Sequence, residues 1–211
     1  MKIAIDGPAA SGKGTLARTL AMKLSFDYLD TGTLYRAVAR DALAQKLAIS
    51  DESQSIQQLV EIAKALDLPI SQDETLRSPE VAQAASKIAS LAEVREALVE
   101  KQRDFAQNPP SGKGAVLDGR DIGTVILPDA DRKFYIDADI EVRAKRRHLE
   151  LGASGTEISY AEVLADLVER DARDKNRTTA PMIAAKDAIF IDTSQRNAEE
   201  VLQQTLSFIE R

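Results

Sequence analysis

Residues 2–15 read KIAIDGPAASGKGT, and the fold is decided there. Lys2 to Asp6 is a short apolar run stopped by a glycine, the pattern of a buried strand. From Thr15 onward Leu16, Leu20 and Leu24 recur at i, i+4 and i+8, one stripe of a helix. Between strand and helix stands Gly7-Pro8-Ala9-Ala10-Ser11-Gly12-Lys13, which fits G-x-x-x-x-G-K. Its glycines let backbone N–H groups turn inward around phosphate oxygens. The helix opening near Gly14 aims its positive end at the same anion, and Lys13 has the length to reach β and γ oxygens. The strict motif places Ser or Thr directly after lysine. Here Gly14 holds that place and the hydroxyl comes one residue later, at Thr15. The strand-loop-helix setting nevertheless marks a phosphate-binding loop. The same tetrapeptide, SGKG, recurs at 111–114. That copy follows Pro109-Pro110 and precedes a strand, so it has no helix N-terminus behind it and reads as a surface turn.

Outward from the loop, short strands alternate with helices. Strands are expected at 2–6, 26–29, 115–118, 133–136 and 188–192. Asp30-Thr31-Gly32 reads as the turn that closes the second, with a helix from Thr33 to Leu47. Helical spacing continues over 56–66, and Ser78-Pro79 supplies an N-cap with proline at the first helical position, opening a helix to about Ser90. Further helices are expected at 92–107 and 140–151, the latter broken by Gly152-Ala153-Ser154-Gly155. Ser159 with Glu162 forms a capping box for a helix to about Asn176, and Asn197 with Glu200 caps the last one. The pattern predicts an α/β fold, a parallel sheet covered on both faces. An all-helical stretch, 48–107, interrupts the strands.

The 211 residues carry 28 Lys and Arg against 34 Asp and Glu, a net charge of −6. Residues 48–100 hold ten acids and four bases, the whole of that imbalance. A shift of this kind marks an insertion or subdomain. An acidic chain with nine Phe and Tyr and no Trp is a poor candidate for nucleic-acid binding, which needs basic surface and stacking platforms. The absence of cysteine removes disulfides, thiolate metal sites and cysteine nucleophiles, and suits a reducing compartment. No run approaches the roughly 18 apolar residues of a membrane span. The expectation is a cytoplasmic protein, monomeric by default, with neither nucleic acid nor membrane as partner.

A phosphate loop alone does not separate switch GTPases, motor ATPases and small-molecule kinases. The guanine motif N-K-x-D is absent; Asp174-Lys175-Asn176-Arg177 lacks its order. Scattered arginines are present instead: Arg36, Arg95, Arg120, the group at 143–147, and Arg170, Arg173 and Arg177. Two phosphorylated substrates meeting head to head need that much fixed positive charge. The segments GPAASGKGT (7–15), LDTGTLYRA (29–37), VAQAASKIA (81–89), VREAL (94–98), LDGRDIGTVILPDA (117–130) and ERDARDKNRTTAP (169–181) resemble those of the bacterial cytidylate kinases, a family of nucleoside monophosphate kinases. The GKGT form of the loop is usual there.

The resemblance implies a three-layer P-loop kinase core with a five-stranded parallel sheet, spanning 1–47 and 108–211. It adds a helical NMP-binding insertion at 48–107 and a short lid at about 148–160. Longer members carry a β-rich segment in the insertion, for which the link between Leu68 and Val81 is too short. The implied reaction is transfer of the ATP γ-phosphoryl group to CMP or dCMP with Mg²⁺. Gly7, Pro8, Ala9, Ala10, Ser11, Gly12, Lys13, Gly14 and Thr15 would hold ATP, with Thr15 meeting Mg²⁺ through the nucleotide. Arg146 and Arg147, before the lid break, would touch its phosphates or adenine. On the acceptor side the candidates are Thr31, Tyr35, Arg36, Ser86, Arg95, Asp118, Arg120, Asp121, Arg170, Asp174 and Arg177. Arg36 and Arg120 would clamp the acceptor phosphate, and Asp174 would contact the sugar. Arg170 and Arg177 would reach the transferring phosphate, so Lys13, Arg120, Arg170 and Arg177 carry the catalysis. Asp121, with Ser86 and Arg95, would read the cytosine edge, because a carboxylate accepts from its exocyclic amine, which uracil lacks. Asp118 would stand behind Mg²⁺. Position alone also allows an exposed ion-pair ladder along 169–177. His148, the only histidine, reads as a surface residue. A different small-molecule kinase (UMP/CMP, adenylate or shikimate) and a non-catalytic nucleotide switch are the alternatives.

Overall fold

The computed structural model describes residues 1–70 and 74–209. Five strands, β1 (Lys2–Asp6), β2 (Asp27–Asp30), β3 (Ala115–Gly119), β4 (Arg132–Asp137) and β5 (Ile189–Asp192), form one sheet in the order β2-β3-β1-β4-β5. Every pairing is parallel. Side chains alternate across a strand, and β1 uses both faces. Ile3 and Ile5 pack with Phe134 and Ile191 against helices α1 (Lys13–Leu24) and α8 (Ala198–Ile209), while Ala4 faces Leu117, Leu29 and Ala106 on the other side. That second face is closed by α5 (Ala92–Gln107) and a one-turn π-helical segment, Ile122–Ile126.

The second strand starts one residue later than its apolar run suggests. α1 ends in a left-handed cap at Ser25, and the Phe26 N–H is spent closing it on Ala21 O at 2.9 Å. Pairing therefore begins at Asp27, whose N–H donates to Gly114 O at 2.9 Å. Asp30-Thr31-Gly32 is not a turn. Helix α2 (Thr31–Ala44) springs directly from the strand, two residues earlier than Thr33. A Cβ on Gly32 would lie 3.0 Å from both Arg36 Nη1 and Asp30 Oδ1. The glycine there admits an ion pair rather than bending the chain. α2 stops before Leu47 because the backbone turns left-handed at Lys46.

Helices α3 (Ser53–Ala65), α4 (Pro79–Ile88) and α5 occupy the interrupting stretch, with Ser78 Oγ accepting from Val81 N at 3.2 Å as the cap of α4. They share a core with α2, built on Leu34, Val38, Leu59, Ile88, Val94 and Leu98. Their acids Asp51, Glu52, Glu61, Asp67, Glu80, Glu93, Glu96 and Glu100 are all exposed, so the charge imbalance is solvated surface. Residues 71–73 of the short link between Leu68 and Val81 lie outside the described residues. A 3₁₀ turn, Glu74–Arg77, leads from there into α4. Helices α6 (Ile140–Ala153) and α7 (Tyr160–Asn176) pack together through Ala144, Leu151, Val163 and Leu167. The capping box of Ser159 and Glu162 is formed. Among the described residues no helix is long and apolar enough to cross a membrane.

All five strands end in aspartate or next to one: Asp6, Asp30, Asp118, Asp137 and Asp192. The carboxyl edge of an open parallel sheet is where ligands bind, and the helix starts above it carry the rest of the site.

Candidate functional site

The loop after β1 is shaped by two glycines. Gly7 has φ +150, and a Cβ on it would lie 2.0 Å from Ile136 O. Gly12 has φ +90 and caps α1, which makes Lys13 the first helical residue. The Lys13 ammonium folds back over the loop to donate to Pro8 O at 3.3 Å. Burial, followed by the positive field of Arg120, pushes its pKa down to about 7, although Asp118 and Asp30 pull the other way. A buried amine among guanidiniums loses more to burial and to their field than the two carboxylates restore. Thr15, two residues on, faces the cleft.

Asp30 and Asp118 are partners across β2 and β3. Burial and then the Asp30 charge drive Asp118 up to about 6. Burial also pushes Asp30 up, but Arg36 outweighs it and leaves that carboxyl below its usual value. Arg36 Nη2 donates to Asp30 Oδ2 at 2.6 Å and to Thr33 Oγ1 at 2.8 Å. Tyr28 Oη donates to Asp118 Oδ1 at 2.9 Å, and Thr31 Oγ1 donates to Asp118 O at 2.8 Å. The Tyr28 phenol is held far above its usual pKa by burial and by Asp118, so it stays a donor. Among the described residues no group of three or more His, Cys, Asp or Glu is arranged to hold a metal ion unaided. Two crowded carboxylates below a free hydroxyl do suit a dication that arrives with phosphate oxygens to complete its shell.

Further along, Arg120 Nε donates to Asp174 Oδ2 at 3.0 Å, and Arg170 Nε stands 4.0 Å from the same oxygen. Arg170 Nε is buried without a hydrogen-bond partner among the described residues. Burial, then Arg120, pulls the Arg170 pKa down to about 10. Burial would raise Asp174, yet Arg120, Arg170 and Arg177 together hold it below its ordinary value. Past them lies Asp121, with one oxygen paired to Arg95 and the other 3.4 Å from Arg177 Nη2. Arg95 is only 4% exposed; it also donates to Ala89 O at 3.0 Å and stacks over the Tyr35 ring. Ser86 accepts from Arg173 Nη1 at 2.7 Å, so Arg173 supports the site from behind and is no plain surface residue.

These groups line one cleft of about 370 Å³ above the carboxyl edge of the sheet. Among the described residues its wall holds eight cationic and five acidic side chains, a local surplus of three positive charges on an acidic protein. Of the candidates read from the sequence, Gly7, Pro8 and Ser11 form the back of the loop rather than the wall. Arg146 also stands off it: its guanidinium donates to Thr193 Oγ1 at 3.0 Å and Thr193 O at 2.7 Å, and Thr193 Oγ1 donates to Ser11 O at 2.8 Å. Arg147 does face the cleft, ion-paired to Glu150 at 2.9 Å. Arg143 is a brace. Its guanidinium spends its donors on Ala138 O, Ala9 O and Asp171 Oδ2 at 2.9, 3.3 and 2.7 Å. His148 is half-buried, edge-on to Tyr160 with centroids 6.3 Å apart, and its Nδ1 has no hydrogen-bond partner among the described residues. It is not part of the cleft wall.

Sequence reasoning missed Arg18, Tyr28 and Asp30 in the wall and Thr193 behind it. Asp30 and Thr193 had a readable signal, since each stands at or just after a strand end on the ligand edge. Arg18, lying over the Tyr28 ring at 5.7 Å, had none.

Comparison with known proteins adds three findings. A family model described as Cytidylate kinase matches residues 3–211. Curated proteins named Cytidylate kinase are similar over nearly the whole chain. The one from Bartonella bacilliformis is 50% identical over 208 residues, covering 99% of this chain and 94% of that protein. The one from Rhodospirillum rubrum is 49% identical over 210 residues, covering 99% and 97%. Among solved structures, an uncharacterized protein from Eubacterium ventriosum aligns with TM-score 0.57 at 14% identity over 100% of this chain and 98% of that one, a likeness of fold alone.

Proposed function

The chain belongs to the cytidylate kinase family, and from that premise we propose how its cleft moves the γ-phosphoryl group of ATP to the phosphate of CMP or dCMP. It is an ATP-dependent nucleoside monophosphate kinase, and its products are CDP or dCDP and ADP. The observation that carries the mechanism is that one cleft holds both sets of groups. Its wall includes a loop lysine and an aspartate held by two guanidiniums, and Arg120 and Arg170 stand within electrostatic reach of Lys13.

In this reading the loop 7–15 takes the β- and γ-phosphates of ATP, with Arg147 above them and Arg146 bracing the loop through Thr193. Thr15, Asp118 and Asp30 would hold Mg²⁺ with the nucleotide, and the ion would neutralise charge on the phosphate oxygens. Arg36, Arg120 and Arg170 bind the acceptor phosphate. Its second pKa is near 6, so it is already an anionic nucleophile at neutral pH and no general base is needed. What the chain supplies is alignment and positive charge for an in-line transfer. Arg120, Arg170 and Lys13 are the catalytic residues because their charges face the oxygens that gain negative charge; Arg177, expected from the sequence beside them, instead spends its guanidinium on Ala180 O, Ala89 O and Asp121 and so holds the base-reading carboxylate. Thr31 and Tyr35 form the wall beside the acceptor, and Asp174 meets its sugar.

Ser86, Arg95 and Asp121 select the base. Arg95 and Arg177 hold the Asp121 carboxylate in place, so it accepts from the cytosine amine and leaves uracil an unpaired carboxylate. We assign 48–107 as the NMP-binding insertion and about 148–160 as the lid, the segments whose closure keeps water from the transferring group. The reading places a monomeric enzyme in the cytoplasm, in keeping with its lack of cysteine.

ADP release measured across CMP, dCMP, UMP, AMP and shikimate tests the assignment. CMP and dCMP should turn over, with kcat/KM for UMP at least about tenfold lower. UMP used as well as CMP overturns the role of Asp121, and AMP or shikimate preferred overturns the acceptor.

A second expectation concerns protons. Lys13 has a pKa of about 7 in the free protein, and a bound triphosphate raises it by supplying negative charge. Between that value and the higher pKa of the complex, binding takes up a proton. ATP affinity should therefore fall as pH rises above about 7. Calorimetry of ATP binding at pH 8 in two buffers of different ionisation enthalpy should show net proton uptake, lost in Lys13→Met. Equal heats in both buffers contradict the assignment.

A further inference from the structure

Asp121 does not stand on a strand or a regular helix. It opens the π-helical turn Ile122–Ile126, closed on itself by Val125 N and Ile126 N donating to Asp121 O at 2.9 and 3.2 Å and by Leu127 N donating to Ile122 O at 2.7 Å. Such a turn leaves donors free at its start and acceptors free at its end, and two side chains from outside it take both. At the start, Asp6 Oδ1 accepts from Ile122 N at 2.7 Å and Asp6 Oδ2 accepts from Gly123 N at 2.8 Å. Asp6 is 3% exposed and sits 116 and 117 residues away in sequence, at the end of β1. At the other end, Arg103 Nη2 donates to Val125 O at 3.0 Å and Arg103 Nε donates to Ile126 O at 3.2 Å. Arg103 lies on α5, eight residues after Arg95 and so near the same helix face. One helix thus holds the turn twice, by the Asp121 side chain and by its last carbonyls.

We infer that Asp6 and Arg103 are positioning residues for the choice of acceptor base: they fix from two bodies, sheet and insertion, the turn that carries Asp121. Neither residue lines the cleft, so neither touches a substrate. The fit around the turn is close as well. A Cβ on Gly123 would lie 3.2 Å from Lys133 Cδ and 3.4 Å from Asp6 Oδ2. With one anchor lost, the turn keeps its internal bonds but can swing as a unit, carrying Asp121 away from the amine it accepts. The phosphate loop, hung on the same strand by Gly7, has its own constraint in Ile136 and keeps its place.

The inference rests on the reading of Asp121 as the base-selecting group, and the experiment separates the two. Asp6→Asn keeps the shape but offers one acceptor where there were two. Arg103→Met keeps the alkyl stem and removes the donors. Each is compared with Asp121→Asn by kcat and KM for CMP, UMP and ATP, alongside thermal unfolding. Both anchor variants should raise KM for CMP about tenfold and narrow the CMP-to-UMP ratio of kcat/KM about tenfold, with KM for ATP within about twofold. Arg103→Lys, which can still donate to one carbonyl, should recover part of the ratio. A general loss of activity with the CMP-to-UMP ratio unchanged is a structural effect and overturns the inference alone. An unchanged ratio in Asp121→Asn overturns the base-reading assignment and the inference with it. Should Asp6→Asn fail to fold, Arg103→Met decides, since that side chain is at the protein surface.

Discussion

Lys13→Ala lowers turnover of CMP by about 10³-fold or more while the unfolding midpoint of the free protein stays in place. The loss is large because the ammonium folds back over the loop at the start of α1. A preorganised donor aimed at developing negative charge in a dry site contributes about 10²–10³ in rate, and a full charge facing the transferring group contributes more. The structure is spared for the complementary reason. Among the described residues Lys13 makes one long hydrogen bond, to Pro8 O at 3.3 Å, and burial disfavours its charged form. Steady-state rates with CMP, paired with circular-dichroism melts, check both halves. A near-normal rate in the variant removes Lys13 from the mechanism.

Gly7→Ala damages the fold itself. The new methyl group would have to lie 2.0 Å from Ile136 O, a backbone atom of the neighbouring strand, at φ +150. Only glycine populates that region comfortably, and strain there adds to overpacking against backbone that cannot step aside. The expected cost is about 3 kcal/mol or more, at the severe end for a single substitution. Gly112→Ala is the control. It has φ +70, but nothing lies within 4 Å of its added Cβ, so it carries only the left-handed penalty of about 1 kcal/mol. Urea unfolding of the two variants should separate them clearly. Equal small losses would show that the loop does not need its glycine.

What could be read from the sequence was what is local. The strand, the loop and the helix of residues 2–24 lie in a row, and their chemistry needs no distant partner. The acid surplus of residues 48–100 was readable because exposed charge follows composition. The arginines of α6 show where such reading stops. Arg143, Arg146 and Arg147 are nearly consecutive on one basic helix, yet the first braces the loop, the second holds Thr193 and the third faces the cleft. Their partners lie in other elements, so no spacing could assign them. The Asp30-Thr31-Gly32 turn was misread for a related reason. Glycine after a strand signals a bend, but here it clears space for Arg36 to reach Asp30, a contact visible only in three dimensions. The π-helical turn had no periodicity to announce it, and its anchors, Asp6 and Arg103, are far away in the chain.

The central claim is that one cleft aligns an ATP γ-phosphoryl group with the phosphate of a cytosine nucleotide. The most direct test follows the label. The protein is given ATP labelled in its γ-phosphoryl group together with CMP and UMP at equal concentration, and the products are separated by anion exchange. Label is expected in CDP, with little in UDP or inorganic phosphate. Label divided equally between CDP and UDP, or released as inorganic phosphate with CMP untouched, would contradict it.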